Sequence, residues 1–251
     1  MTTGASGLPL PEPAEGSARA ALPQLLTLFS PAFPIGGFAW SHGLEAAVAE
    51  GIVTDGDGLA AWVALLLDRG SGWNDLVLMA EAFHAAAAGD RGRLASVAEL
   101  AVALAGSAER RAETLALGAA FAEASAHWAG EGGEPGTATA EGGLAAVTAP
   151  CGGLPYPVAA GRLAAMAGLP LAETLIAYAH GFAAALVSAA VRLVPLPQSV
   201  AVRVLHGLEP AIADAAGRAA RATLDDLGSS ALGSDIAAMR HETLHTRLFR
   251  S

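Results

Sequence analysis

His241-Glu242-Thr243-Leu244-His245 is the run in this chain whose residue types and spacing most nearly spell out a reaction. On a helix, imidazoles at i and i+4 share a face and can hold one zinc ion, with the glutamate acting as base on a metal-bound water. That reading makes the chain a zinc metallopeptidase. A catalytic zinc takes a third protein ligand, usually downstream in such enzymes, and Thr246–Ser251 holds no His, Asp or Glu. The run also sits in a terminal segment expected to fray. His241 and His245 stay weak candidates for transient nickel contact, because imidazole suits that ion. Two solvated or partner-facing imidazoles are the simpler account.

Other chemistry is thin. His42, His84, His127, His180 and His206 are scattered without ligand spacing and are expected to be ordinary surface or hydrogen-bonded histidines. All 14 cationic residues are Arg, and the absence of Lys excludes a Walker A lysine, a Schiff-base lysine and a Ser-x-x-Lys dyad. Any nucleotide hydrolysis connected with this protein therefore belongs to another chain, and no intrinsic hydrolase activity is expected. There is no Gly-x-Ser-x-Gly elbow, and Cys151 has no second thiol to pair with, so it reads as a spectator in a reducing cytoplasm. A net charge of −10 argues against a nucleic-acid partner, which needs clustered cations.

The elements that must position these residues are helices. Hydrophobic residues make up 53% of the 251 but aromatics only 5%, so the core is built from Ala, Leu and Val, which suit close-packed helices better than strands. Leu59, Trp62, Val63 and Leu66 fall at i, i+3, i+4 and i+7, and Leu76, Met79, Ala80 and Phe83 repeat the pattern. Asp57 is the expected cap of the first helix, and Asn74 and Asp75 the start of the second. Arg91–Ala105 is a third, and Ser107 caps a longer one on which Leu117, Phe121, Ala124 and Trp128 share a face. Gly130–Gly143 reads as a loop, and Pro150–Pro157 cannot be regular helix. Helices are expected over Val158–Ala167, Leu171–Val194 opened by Pro170, Ser199–His206 and Pro210–Leu227.

The fold class is thus all-α: a single helical bundle of roughly ten helices. Residues 1–20, rich in Gly, Pro, Ser and Ala, are expected to form a disordered leader, residues 21–239 the domain and residues 240–251 a tail. Thr174–Val191 carries no charge and just reaches the length needed to span a bilayer, but its Tyr178, His180, Gly181, Ser188 and many alanines favour a buried central helix over a small membrane protein.

Ser30–Glu45 is the stretch that periodicity explains least. Ser30, Pro31, Pro34, Gly36, Gly37, Phe38 and Ser41 specify a shaped loop: the prolines fix φ, and the glycines open conformations closed to other residues. Its apolar residues are expected to pack on the core and deliver Ser41 or His42 to the next helix, with strain concentrated at Gly37. Glu45 at a helix start and Arg192 at a helix end each sit where the helix dipole favours them. Gln198 follows two prolines on a rigid turn. Leu248 and Phe249 among Arg240, Arg247 and Arg250 make a basic, partly apolar tail too short for its own core, fitted to fold onto a partner.

Ser30–Glu45 resembles the opening motif of the urease accessory protein UreF family, Ser-Pro-x-x-Pro-x-Gly-x-Phe-x-x-Ser-x-Gly-Leu-Glu, at every fixed position. Ser188–Gln198 is similar to the family's Val-Lys/Arg-Leu-Val-Pro-Leu-Gly-Gln segment, with Pro197 where Gly is usual. Ser234–Ser251 is similar to its Arg-His-Glu-Thr-x-Tyr-x-Arg-Leu-Phe-Arg-Ser tail, with His245 where an aromatic is usual. The resemblance implies a cytoplasmic, homodimeric, non-catalytic chaperone of urease maturation. It implies that the protein joins UreD (UreH) and the GTPase UreG, couples GTP hydrolysis to nickel delivery and helps activate apo-urease. No resident cofactor is implied; nickel is cargo that passes through the complex. It also implies partner-binding roles for Glu45, Arg192, Gln198, Arg240, His241, Glu242, Arg247, Leu248, Phe249 and Arg250.

Overall fold

A computed structural model describes residues 15–37, 39–126 and 152–250. Phe38, His127, Trp128, the loop expected over Gly130–Gly143 and Cys151 lie outside them. Eleven α-helices span the described residues: α1 Glu15–Leu28, α2 Leu44–Ala49, α3 Gly56–Arg69, α4 Ser71–Ala87, α5 Arg91–Ala103, α6 Ala108–Ala124, α7 Tyr156–Met166, α8 Leu171–Leu193, α9 Gln198–Gly207, α10 Glu209–Ala219 and α11 Leu232–His241. The fold is an all-α bundle. Its first helix starts at Glu15, inside the segment expected to lack structure.

Local chemistry explains the boundaries, in places against expectation. Asp55, not Asp57, caps α3: its backbone is extended and its carboxylate accepts from the Gly58 N–H at 2.8 Å. α4 begins at Ser71 behind Gly70, so Asn74 and Asp75 lie inside it, and the Asn74 side chain accepts from Gly228 at 2.9 Å. Ser107 does cap α6, accepting from Arg110 at 3.1 Å. The buried face of α6 runs through Glu113, Thr114, Gly118 and Phe121, while Ala124 is exposed. α10 stops at Ala219, and Thr223 and Asp226 cap each other around a single 3-10 turn, Leu224–Asp226.

α4 and α7 make the most intimate helix pair, and α8 packs across α10, α4, α9, α2 and α1. The alanines of α7 permit this: Ala159, Ala160 and Ala164 are all buried with Val158 and Leu163. Gly161 decides the approach, since a Cβ there would sit 2.3 Å from the Met79 carbonyl oxygen. Of the apolar 18-residue window in α8, 61% is buried, as expected of a central helix. One continuous core runs from Ala21 to Phe249, so residues 240–250 belong to the same packed unit as the rest of the described residues.

Loop strain falls at Gly36 rather than Gly37. Gly36 has φ +83°, and a Cβ there would lie 2.9 Å from Leu117 Cδ1, whereas a Cβ on Gly37 would meet the Ala185 methyl at an ordinary 3.4 Å. Gly36→Ala is accordingly expected to lower the melting temperature clearly more than Gly37→Ala, as followed by circular dichroism.

Candidate partner-binding site

Glu45 is brought to its place by the loop before it. The Ser41 hydroxyl, fully buried, accepts from the Glu45 N–H at 3.3 Å and starts α2, as the sequence suggested. His42 and Gly43 both take positive φ, 53° and 76°. Gly43 is required there, because a Cβ would lie 2.6 Å from the Ala238 backbone nitrogen of α11. The turn therefore presses α2 onto α11, which sets Glu45 and His241 side by side although 196 residues separate them.

His241 is wholly buried between two carboxylates. Its Nε2 lies 3.0 Å from Glu45 Oε2, and its Nδ1 lies 2.6 Å from Glu109 Oε2 on α6. Glu45 also accepts the backbone N–H groups of Leu248 at 2.7 Å and Phe249 at 2.9 Å. Arg247 donates to the other oxygen of Glu109. Burial works to raise the Glu45 carboxyl, but the His241 ring and the two tail amides outweigh it and hold it below its ordinary value. The Arg192 guanidinium lies 4.2 Å from the centre of the buried Phe249 ring and donates to the Gly37 carbonyl at 3.0 Å. Arg250 donates its N–H to Ala39 at 2.7 Å, with its guanidinium toward Trp40.

This geometry corrects the expected tail. Residues 240–250 are bound to their own chain, and they need no partner to offset the entropy of ordering. The metallopeptidase arrangement is also overturned. α11 ends at His241, so His245, exposed beyond a turn, does not share its face. Both ring nitrogens of His241 face carboxylates, and Glu242 accepts from the Ala108 N–H at 2.8 Å, at the start of α6. Arg240 pairs with Glu50 at 2.7 Å. Gln198 is the exposed first residue of α9 rather than part of a turn, and it stands outside the cluster. The Ser30 hydroxyl donates to Thr27 and accepts from Ala32, holding the start of the loop.

Residue types alone missed Glu109 and a second buried network next to it. There the Arg110 guanidinium donates to Glu113, His42 Nε2 lies 2.9 Å from Glu113 Oε1, and the Tyr178 hydroxyl donates to Asp75 at 3.1 Å. His42 is therefore a half-buried histidine of the hydrogen-bonded kind expected. Its Nδ1 is buried without a hydrogen-bond partner among the described residues. The available signal was charge on an apolar face: Glu113 lies two helical turns before Phe121.

Burial pushes Glu113 up, but Arg110 and His42 prevail and hold it at about 2, while burial outweighs Arg110 at Asp75 and raises that carboxyl. The unfolded chain protonates Glu113 near 4.5, the native chain only near 2. Its stabilisation is thus complete above 4.5 and disappears as the pH falls to about 2. Asp75 has the opposite sign and favours the native state when protonated. The melting temperature is expected to drop across that acid window, and Glu113→Gln should flatten the drop while lowering the melting temperature at neutral pH.

Comparison with known proteins places this geometry. The UreF family model matches residues 53–209. The chain is 45% identical over 241 residues to the urease accessory protein UreF of Rhodopseudomonas palustris (strain HaA2), covering 95% of this chain and 97% of that one. The chain belongs to the UreF family. The UreF of Bradyrhizobium sp. (strain ORS 278) is 44% identical over 252 residues, covering 100% of both chains. That of Mesorhizobium japonicum is 47% identical over 231 residues, covering 92% of this chain and 96% of its own. UreF-family proteins are non-catalytic chaperones, so the sequence-level resemblance and the absence of a hydrolase role agree with membership, and an accessory role in urease maturation follows. Glu45 and the tail lie outside the matched 53–209, but the relative that aligns with the whole chain extends over them.

Proposed function

We propose that this chain is a cytoplasmic, homodimeric assembly factor that joins UreD (UreH) to the GTPase UreG, couples GTP hydrolysis to nickel delivery and helps activate apo-urease. The observation that carries the reading is the clamp of His241 between Glu45 and Glu109. It fixes the backbone of the tail while leaving the Leu248 side chain in solvent, 58% exposed beside Arg247 and Arg250. An apolar side chain on a rigid, arginine-flanked backbone is a preorganised contact, so a partner meets it without the cost of ordering the segment. UreD is the partner assigned to this surface, with UreG recruited to the resulting complex and nickel passing through it as cargo.

The test is co-expression of the full chain with UreD and UreG. Stable co-purification of the three, and urease activation that depends on this chain, is the expected result. A chain that stays folded but co-purifies with neither protein would overturn the proposal.

A further inference from the structure

A cavity of about 140 Å³ lies between α4, α6, α11 and the chain that joins α5 to α6. α4 presents Ser71, Asp75 and Leu78 to it at i, i+4 and i+7, so one helical face supplies a hydroxyl, a carboxylate and an apolar wall. α11 adds Asp235, and the turn before α2 adds His42. Two of these residues hold a buried polar atom without a hydrogen-bond partner among the described residues: Ser71 at Oγ and His42 at Nδ1. The Glu113 carboxylate takes the ring proton of His42 at Nε2, 2.9 Å away, which leaves Nδ1 an acceptor. Arg110 also lines the cavity, but its guanidinium donates to Glu113 and stands 3.9 Å from Asp75, so one cation already answers to two carboxylates. Asp235 accepts from the Ser229 hydroxyl at 2.8 Å. The surroundings are thus rich in acceptors and short of positive charge. Buried acceptors without donors are costly, and a cationic donor supplied from outside removes that cost.

We propose that this cavity takes a primary alkylammonium group, the end of a lysine side chain from a partner protein, with its stem on Leu78, Ala101 and Pro157 and its N–H donors shared among Asp75, Ser71 and His42. At ~30 Å³ per water the volume admits roughly five water-sized groups, and a lysine side chain is a four-carbon stem ending in one nitrogen. An ammonium brings three donors and no acceptor, which matches a lining of acceptors. The occupant comes from a different protein: all 14 cationic residues here are Arg, so neither this chain nor a second copy of it has a lysine to offer. A net charge of −10 draws a cationic partner toward it. A free alkylamine carries the same chemistry, and the test separates the two sources. The site uses neither the Leu248 side chain nor the clamp, so it does not rest on the UreD assignment.

The probes are n-butylammonium, its neutral counterpart 1-butanol and the capped peptide acetyl-Ala-Ala-Lys-Ala-Ala-amide. Each is titrated into the full-length protein at fixed ionic strength while the backbone amide resonances of His42, Ser71 and Asp75 are followed. Butylammonium is expected to shift these amides and to bind at least about tenfold more tightly than 1-butanol. Ser71→Ala and Asp75→Asn, with folding checked by melting curves, should each remove most of that preference. The Ser71 hydroxyl has no hydrogen-bond partner among the described residues, so its loss leaves the melting temperature nearly unchanged. Should Asp75→Asn not fold, Ser71→Ala and the wild-type comparison of probes still decide. Binding of the lysine peptide at least as tight as that of butylammonium supports a partner's side chain as the occupant. Binding of butylammonium without the peptide overturns that source in favour of a free amine. Equal binding of butylammonium and 1-butanol, or no shift at these amides with either, overturns the proposal outright and leaves the cavity to water. UreD and UreG are absent from the experiment, so no outcome bears on the tail assignment.

Discussion

Glu45→Ala is expected to release the C-terminal tail and to cost roughly 3 to 5 kcal/mol, the range for removing one partner of a buried, hydrogen-bonded charged cluster. The carboxylate accepts from Leu248 and Phe249 and faces the buried His241 ring, so its loss orphans two backbone donors and an imidazole nitrogen together. Phe249, only 4% exposed, would lose its anchor, and Arg192 the ring it covers. Two measurements check this. Denaturant unfolding gives the stability loss, and amide exchange at Leu248 and Phe249 should become fast while exchange in α4 and α7 stays slow at matched residual stability. Deleting Arg240–Ser251 should destabilise for the same reason, contrary to the expectation of a tail that orders only on a partner.

The second large effect is expected at Gly161. With its Cβ position 2.3 Å from the Met79 carbonyl oxygen, Gly161→Ala cannot be accommodated by a side-chain rotation, because the obstacle is backbone. α4 and α7 must move apart, and a loss of about 3 kcal/mol is expected. Val158→Ala on the same helix leaves the backbones where they are and should cost less. Thermal unfolding of the two variants side by side decides the ranking.

Much of the fold was legible because helical periodicity is local. Leu59, Trp62, Val63 and Leu66 do face the core of α3, and Pro170 and Pro195 do bracket α8. Caps were less legible, since Asp55 and Asp57 offer the same carboxylate two residues apart and only the extended backbone at Asp55 distinguishes them. The site was half legible. The family motifs mark Glu45 and the tail residues one by one, but nothing local says that Glu45 and His241 meet, because the contact depends on Gly43 admitting α11. The Asp75, Arg110, Glu113 and His42 network escaped for a related reason: each residue is ordinary on its own helix, and its meaning comes from burial. The tail was read as ordering only on a partner because its apolar content is too small to fold alone. The donors and acceptors that hold it come from α2 and α6.

The central claim is that the clamped tail presents a partner surface, and Leu248 allows it to be tested without disturbing the clamp. Only its backbone N–H is used by Glu45; its side chain faces solvent. The measurement is the affinity of full-length protein for UreD, wild type against Leu248→Asp, with melting temperatures recorded in parallel. An unchanged melting temperature with at least about a tenfold loss of affinity is the predicted result, the scale of a buried leucine anchor at an interface. Unchanged affinity in a variant with an unchanged melting temperature would contradict the account.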